Sequence, residues 1–111
     1  MFELSVNVVR GIMLINFDGE LNSSNFSMLD QELNYLIYKQ GMHYYIFNFS
    51  NLLNFDNNIL NKLQNKIIEI FLNCGRVVMC GVNNILKDRL GFKGQLSYVN
   101  NEIEAFKYFS I

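Results

Sequence analysis

The sequence predicts an α/β fold: a mixed sheet that opens with an N-terminal hairpin, continues in parallel strands and carries packed α-helices. Three observations lead there. The first residues alternate apolar with polar at a period of two; two later segments repeat apolar residues at helical spacing; short runs rich in β-branched and aromatic residues separate them. Helices that return the chain over a sheet do so by right-handed crossovers, which makes the later strands parallel.

Phe2, Leu4, Val6 and Val8 alternate with Glu3, Ser5 and Asn7, the pattern of a strand with one buried face. Arg10-Gly11 then turns the chain. Residues 12–15 are continuously apolar, as in a strand covered on both sides, and Asp18-Gly19 is expected to close it. Over residues 25–40, Phe26, Leu29, Leu33, Leu36 and Ile37 mark one helix face, with Ser23 or Ser24 as the expected N-cap and Gly41 as the stop.

An aromatic strand, YYIFNF at 44–49, follows, and Asp56 is placed to cap a second helix running to about Asn73, ended by Gly75. On that helix Leu60, Leu63, Ile67, Ile70 and Phe71 share one face, whereas Asn58, Asn61, Asn65, Ile68 and Leu72 fall on the other. Residues 77–82 form a short buried strand. Asn83 or Asn84 starts a brief helix through Leu90, stopped by Gly91, and 96–99 is the last strand. Asn101 with Glu104 makes a capping-box-like pair ahead of Ile103, Phe106 and Phe109.

With 111 residues, half of them apolar, the chain is the size of one domain, expected to span 1–111. Nine basic and ten acidic residues, scattered, leave no polybasic face for nucleic acid. No apolar stretch approaches the roughly 18 residues needed to cross a bilayer, and the alternating start is not a signal peptide. A complete cytoplasmic protein without membrane insertion is expected. Cys74 and Cys80 read as buried, reduced thiols without metal-ligand spacing.

Catalytic patterns are missing. A flavodoxin-like enzyme would place a phosphate loop after the first strand, where this sequence has a hairpin turn, and no nucleophile elbow or metal-spaced set appears. His43, the single histidine, reads as a structural or surface residue, and the carboxylates of Asp18 and Glu20 as solvated turn residues. No cofactor and no enzyme activity are expected.

Three stretches resemble the STAS family, in particular the anti-sigma factor antagonists. Gly19-Glu20-Leu21-Asn22 is similar to the family's G-E-L-D after the second strand. Phe47-Asn48-Phe49-Ser50, then residues 51–53, then Phe55-Asp56-Asn57-Asn58-Ile59-Leu60 resemble a strand followed by F-x-D-S-S-G-L. Residues 75–82 resemble the family's glycine, apolar strand and short helix, and Glu104-Ala105 its terminal E-A. Their order and spacing cover nearly the whole chain.

The resemblance implies a single STAS domain that binds a partner at a loop-to-helix junction. In anti-sigma factor antagonists that partner is a serine kinase, which phosphorylates the second serine of D-S-S-G. Here Asn58 stands at that position, Asn57 at the one before, and Ile59 replaces the glycine; Asn22 replaces an aspartate. An asparagine cannot take up phosphate as serine does, so the usual off-switch is missing. From spacing alone Asp56-Asn57-Asn58 is a turn and N-cap; with the resemblance, Glu20, Asn22, Asp56, Asn57, Asn58, Ile59, Ile68 and Leu72 become the expected partner contacts. An anti-sigma factor kinase or related regulator is the expected partner. The alternative is an accessory subunit bound to the cytosolic ATPase of a membrane transporter, and a homodimer is a further candidate assembly.

Overall fold

The computed structural model describes residues 3–90 and 97–109; Phe2, Gly91 and Leu96, assigned above to the first strand, a helix stop and the last strand, lie outside them. The alternating start forms β1 (Glu3–Val9), antiparallel to β2 (Ile12–Leu21) across a two-residue turn. Arg10 and Gly11 both hold positive φ, 54° and 79°, as a type I′ turn requires. Three further strands, β3 (Tyr44–Phe55), β4 (Arg76–Cys80) and β5 (Ser97–Val99), add in parallel, so that the sheet order is β1-β2-β3-β4-β5. The expected mixed sheet with its antiparallel hairpin is what forms.

The helices divide between the two faces. α1 (Phe26–Asn34), prolonged by a π turn (Tyr35–Lys39), α2 (Asn57–Leu72) and α3 (Asn84–Leu90) cover one face, where Met13, Ile15, Phe17, Tyr45, Phe47, Val77 and Met79 meet Leu29, Leu33, Leu63, Ile67 and Leu86. The alternate strand residues Ile12, Leu14, Ile46, Val78 and Cys80 point the other way, onto α4 (Glu102–Phe109) through Ala105 and Phe106. Strands buried on both faces need continuous apolar runs, which is what residues 12–15 and 77–80 provide.

One charge enters this packing. Lys66 is buried between α1 and α2, its Nζ 2.9 Å from Asp30 Oδ1 and 3.4 Å from Glu69 Oε1, and it donates to Asn34 Oδ1. Burying a charge is costly unless it is paired and hydrogen-bonded, so the cluster fixes α1 against α2.

Several ends differ from the sequence reading. β2 does not close at Asp18-Gly19, and β3 does not stop at Phe49; both run on, to Leu21 and Phe55. β4 stops at Cys80, before Val82, because Gly81 turns the chain with φ 69°. Neither Ser23 nor Ser24 caps α1: the Asn22 side chain accepts from the backbone N–H of Ser24 and Asn25 instead, at 3.0 and 3.2 Å. The other N-caps are as expected, with Asn83 Oδ1 accepting from Leu86 N–H and Asn101 Oδ1 from Glu104 N–H. No described helix is long and apolar enough to cross a membrane, which leaves β-barrels unaddressed.

The end of α2 is the clearest departure. Gly75 N–H donates to Ile70 O at 2.8 Å and Cys74 N–H to Phe71 O at 3.0 Å, the two bonds of a Schellman motif. The left-handed residue is therefore Cys74, at φ 64°, and it is exposed, contrary to the buried thiol expected. Gly75 is required for another reason: a Cβ there would lie 2.5 Å from Ile70 Cγ2 and 2.9 Å from Ile70 O. Cys80 is buried as expected, and burial, aided by the Glu102 carboxylate, pushes its thiol up to about 11. Cys74→Gly should raise stability by roughly 0.5–1 kcal/mol, since it relieves a left-handed Cβ. Gly75→Ala should lower stability. Denaturant midpoints measure both, and a free thiol reagent should label Cys74 at once and Cys80 only on unfolding.

Candidate functional site

The extended ends of β2 and β3 form a two-stranded parallel arm that passes beyond β4, whose last pairing is Cys80 with Asn48. Two bulges shape it. Between Asn16/Asn48 and Asp18/Asn51, β3 spends two residues against one of β2, and between Gly19/Leu52 and Glu20/Asn54 it inserts Leu53. A bulged residue loses its place in the ladder and turns outward. Leu53 is accordingly 84% exposed, the most exposed large hydrophobic residue described.

The arm brings two loops together. Glu20 pairs with Asn54 and Leu21 with Phe55, and Asp56 N–H donates to Leu21 O at 3.1 Å. The turn at Glu20 to Asn22 and the start of α2 at Asp56 therefore share one tip, although more than thirty residues separate them in sequence. Asn25 Nδ2 donates to Glu20 O at 2.7 Å, which braces the same turn from α1.

At the junction Asp56 is the N-cap of α2, its Oδ1 accepting from Asn58 N–H at 2.9 Å. Asn57 and Asn58 are exposed on the first turn, and the Asn57 side chain accepts from the Arg89 guanidinium of α3. The tip thus presents two carboxylates, Glu20 and Asp56, around neutral amides. Asn22 contributes less freely than the sequence suggested, because its Oδ1 is engaged by Ser24 and Asn25 and its Nδ2 lies 3.4 Å from Glu20 Oε1.

Ile59 must be corrected. It is fully buried, in the main core with Leu60 and Leu63, and cannot be a surface contact. An apolar side chain replaces the glycine of the family pattern because this position faces the sheet. The outer face of α2 is as the periodicity predicted: Asn58, Asn61, Asn65, Ile68 and Leu72 are all exposed, with Ile68 at 43% and Leu72 at 78%. They form one strip about 21 Å long at 1.5 Å per residue. Phe71, assigned to the core face, is half-buried.

Three exposed residues escaped the sequence reading, two of them, Leu53 and Arg89, at the tip. Leu53 lay between the aromatic strand and the Asp56 cap, where no element was assigned, Arg89 is ordinary on a short helix, and Ile85 is an exposed residue of α3. Only Leu53 carried a signal, as one apolar residue too many between two asparagines. A cleft of about 530 Å³ lies between α1 and α2; of its charges, Asp30, Lys66 and Glu69 are already paired with one another, and Lys62 sits over the Phe26 ring, its Nζ 5.9 Å from the centroid. His43 is exposed, and its carbonyl accepts from Arg76 N–H at 2.6 Å.

Comparison with known proteins adds the family. The unphosphorylated form of the anti-sigma factor antagonist SpoIIAA superposes with a TM-score of 0.80 at 19% identity, over 97% of this chain and 96% of that one. The phosphorylated form of the Bacillus cell fate determinant SpoIIAA gives 0.79 at 19% identity, over 99% and 100%. A serine-to-glutamate variant of RsbS from Moorella thermoacetica gives 0.77 at 14% identity, over 95% and 92%. At these identities the likeness establishes the fold. No curated protein sequence matches the chain significantly. The family model for the STAS domain matches residues 3–104, nearly the whole length on which the sheet, the arm and the helix junction are built, and the chain belongs to the STAS domain family.

Proposed function

We propose that the chain acts as one non-catalytic, protein-binding regulatory unit of the anti-sigma factor antagonist type, with Asn58 where the phosphoacceptor serine would stand. The observation that carries this reading is the exposed Asn58 on the first turn of α2, held by Asp56 at the tip where both loops meet. A helix N-terminus at such a tip favours added negative charge, which makes it a natural position for a phosphate switch. Asparagine keeps the hydrogen bonding and forfeits the switch. The domain would bind an anti-sigma factor kinase or related regulator through Glu20, Asn22, Asp56, Asn57 and Asn58, and hold it without being released by phosphorylation. Leu53 beside the junction and Ile68 and Leu72 along α2 would supply the apolar anchors that interfaces concentrate their energy in.

Incubation with such a kinase and ATP should leave the peptide containing residues 56–60 unmodified by mass spectrometry. Stoichiometric phosphate there would overturn the reading. Asn58→Ser alone should create an acceptor at no cost to the fold, since the side chain is exposed and Ile59 stays in the core.

Asp56 separates folding from recognition. Asp56→Ala should cost about 1 kcal/mol of stability by removing the cap, whereas Asp56→Asn keeps a capping oxygen and should leave the melting temperature nearly unchanged. A contact between the carboxylate and a basic group of the partner predicts weaker binding by Asp56→Asn all the same. Undiminished affinity removes Asp56 from the interface. Ile68→Asp and Leu53→Asp should remain folded by circular dichroism and lose partner binding, while Leu63→Asp, which buries an unpaired charge, should not fold.

A further inference from the structure

The outer edge of β1 is open: no described residue pairs with it. In a two-residue hairpin the closing pair, Val9 with Ile12, exchanges both hydrogen bonds, and alternation makes Asn7–Leu14 and Ser5–Asn16 the next such pairs. The peptide groups of Leu4, Val6 and Val8 therefore point away from β2. Edges are ordinarily blunted by lysine, proline, a bulge or an inward charge. β1 has none of these: its register with β2 is unbroken over seven residues, and Glu3 at one end is its only charge. Val8, near the other end, is 62% exposed.

We propose that this edge pairs antiparallel with β1 of a second copy of the chain, about a two-fold axis at Val6, to give a continuous sheet across the dimer. The strand is self-complementary in that register. Leu4 lies opposite the second copy's Val8 and Val6 opposite its counterpart, which extends the apolar row that Leu4 and Val6 already contribute to the helix-side core. On the opposite face Ser5 meets Asn7. Glu3 falls opposite Val9 and beside Arg10, so opposite charges flank both ends and no like charges face each other. All three outward peptide groups find partners. Two-fold registers displaced by one residue set outward groups against inward ones, and those displaced further leave two residues of each strand unpaired.

Seven residue pairs make an interface smaller than that of a permanent dimer, so association should depend on concentration. The proposal is independent of partner binding at the α2 junction. Sedimentation equilibrium of the full chain should show a monomer that dimerises as concentration rises. Val8→Lys, at an exposed position, should lower the association constant by about tenfold, because it sets a lysine against leucine at both ends of the pairing. Circular dichroism should be unchanged.

Register has its own readout. In a Cys74→Gly background, a mixture of Ser5→Cys and Asn7→Cys chains should form an intermolecular disulfide readily, since positions 5 and 7 oppose each other about 4.5 Å apart between Cα atoms. Either variant alone should cross-link poorly, its own thiols lying on a diagonal of about 7–8 Å. A monomer at every concentration, a dimer indifferent to Val8→Lys, or equal cross-linking in the single variants would each overturn the proposal.

Discussion

Everything at the tip of this molecule depends on the parallel pairing of β2 with β3. A parallel pair makes its hydrogen bonds only if a crossover returns the chain, and here α1 and its π turn do so. The pairing is secured by aromatic packing: Phe17 of β2 stacks on Phe49 of β3 with ring centroids 4.6 Å apart and planes 6° from parallel, and meets Phe47 edge-on at 5.8 Å. That stack sits at the first bulge. β3 can thus spend an extra residue, Ser50, without losing its partner strand, and the arm beyond it continues to Leu21 and Phe55. Were the ladder to stop at the edge of β4, Glu20 and Asp56 would belong to two unconnected loops.

α2 then converts the arm into a fixed surface, since it is held at three points along its length. Asp56 joins its first turn both to Asn58 and, through its own N–H, to Leu21. Lys66 ties its middle to Asp30 and Asn34 of α1. The Schellman bonds from Cys74 and Gly75 close its end against the start of β4, where Arg76 N–H reaches the His43 carbonyl. A helix anchored only by apolar contacts could slide in its groove; the directional bonds at both ends and the buried ammonium between them specify one position. The exposed strip from Asn58 to Leu72 is presented in that position.

The hairpin, the buried strands and the helix faces were legible because each rests on a pattern: a period of two for β1, of 3.6 for α1 and α2, and continuous apolarity where both faces of a strand are covered. The arm was not legible. Asp18-Gly19 and Asn51 to Asn54 have the composition of turns, and the bulges break the period of two that would have marked them as strand. Ile59 was misplaced for a different reason: a motif comparison assigned it to the site, while its spacing of four residues from Leu63 and eight from Ile67 already placed it on the helix face that meets the sheet. Lys66 could not be foreseen, because a lysine on the inner face of a helix is intelligible only once Asp30 of another helix lies 2.9 Å away. Cys74 took the left-handed place usually given to glycine because Gly75 was already claimed by its contact with Ile70.

Positions 58 and 59 bring out how sharply the constraints change at this junction. Ile59 is fixed by the core, and a smaller residue there would leave a cavity beside Leu60 and Leu63. Asn58 is exposed, its side chain makes no hydrogen bond within the described structure, and only its backbone N–H serves the fold, by donating to Asp56. That bond is available to any residue but proline. Folding therefore accepts serine or asparagine at 58 almost equally, and the identity of the side chain is free to follow what docks on it. On the proposed reading, replacing a phosphorylatable serine by an amide leaves the cap, the arm and the strip intact and alters one property alone, the charge that a partner can be made to meet at the start of α2.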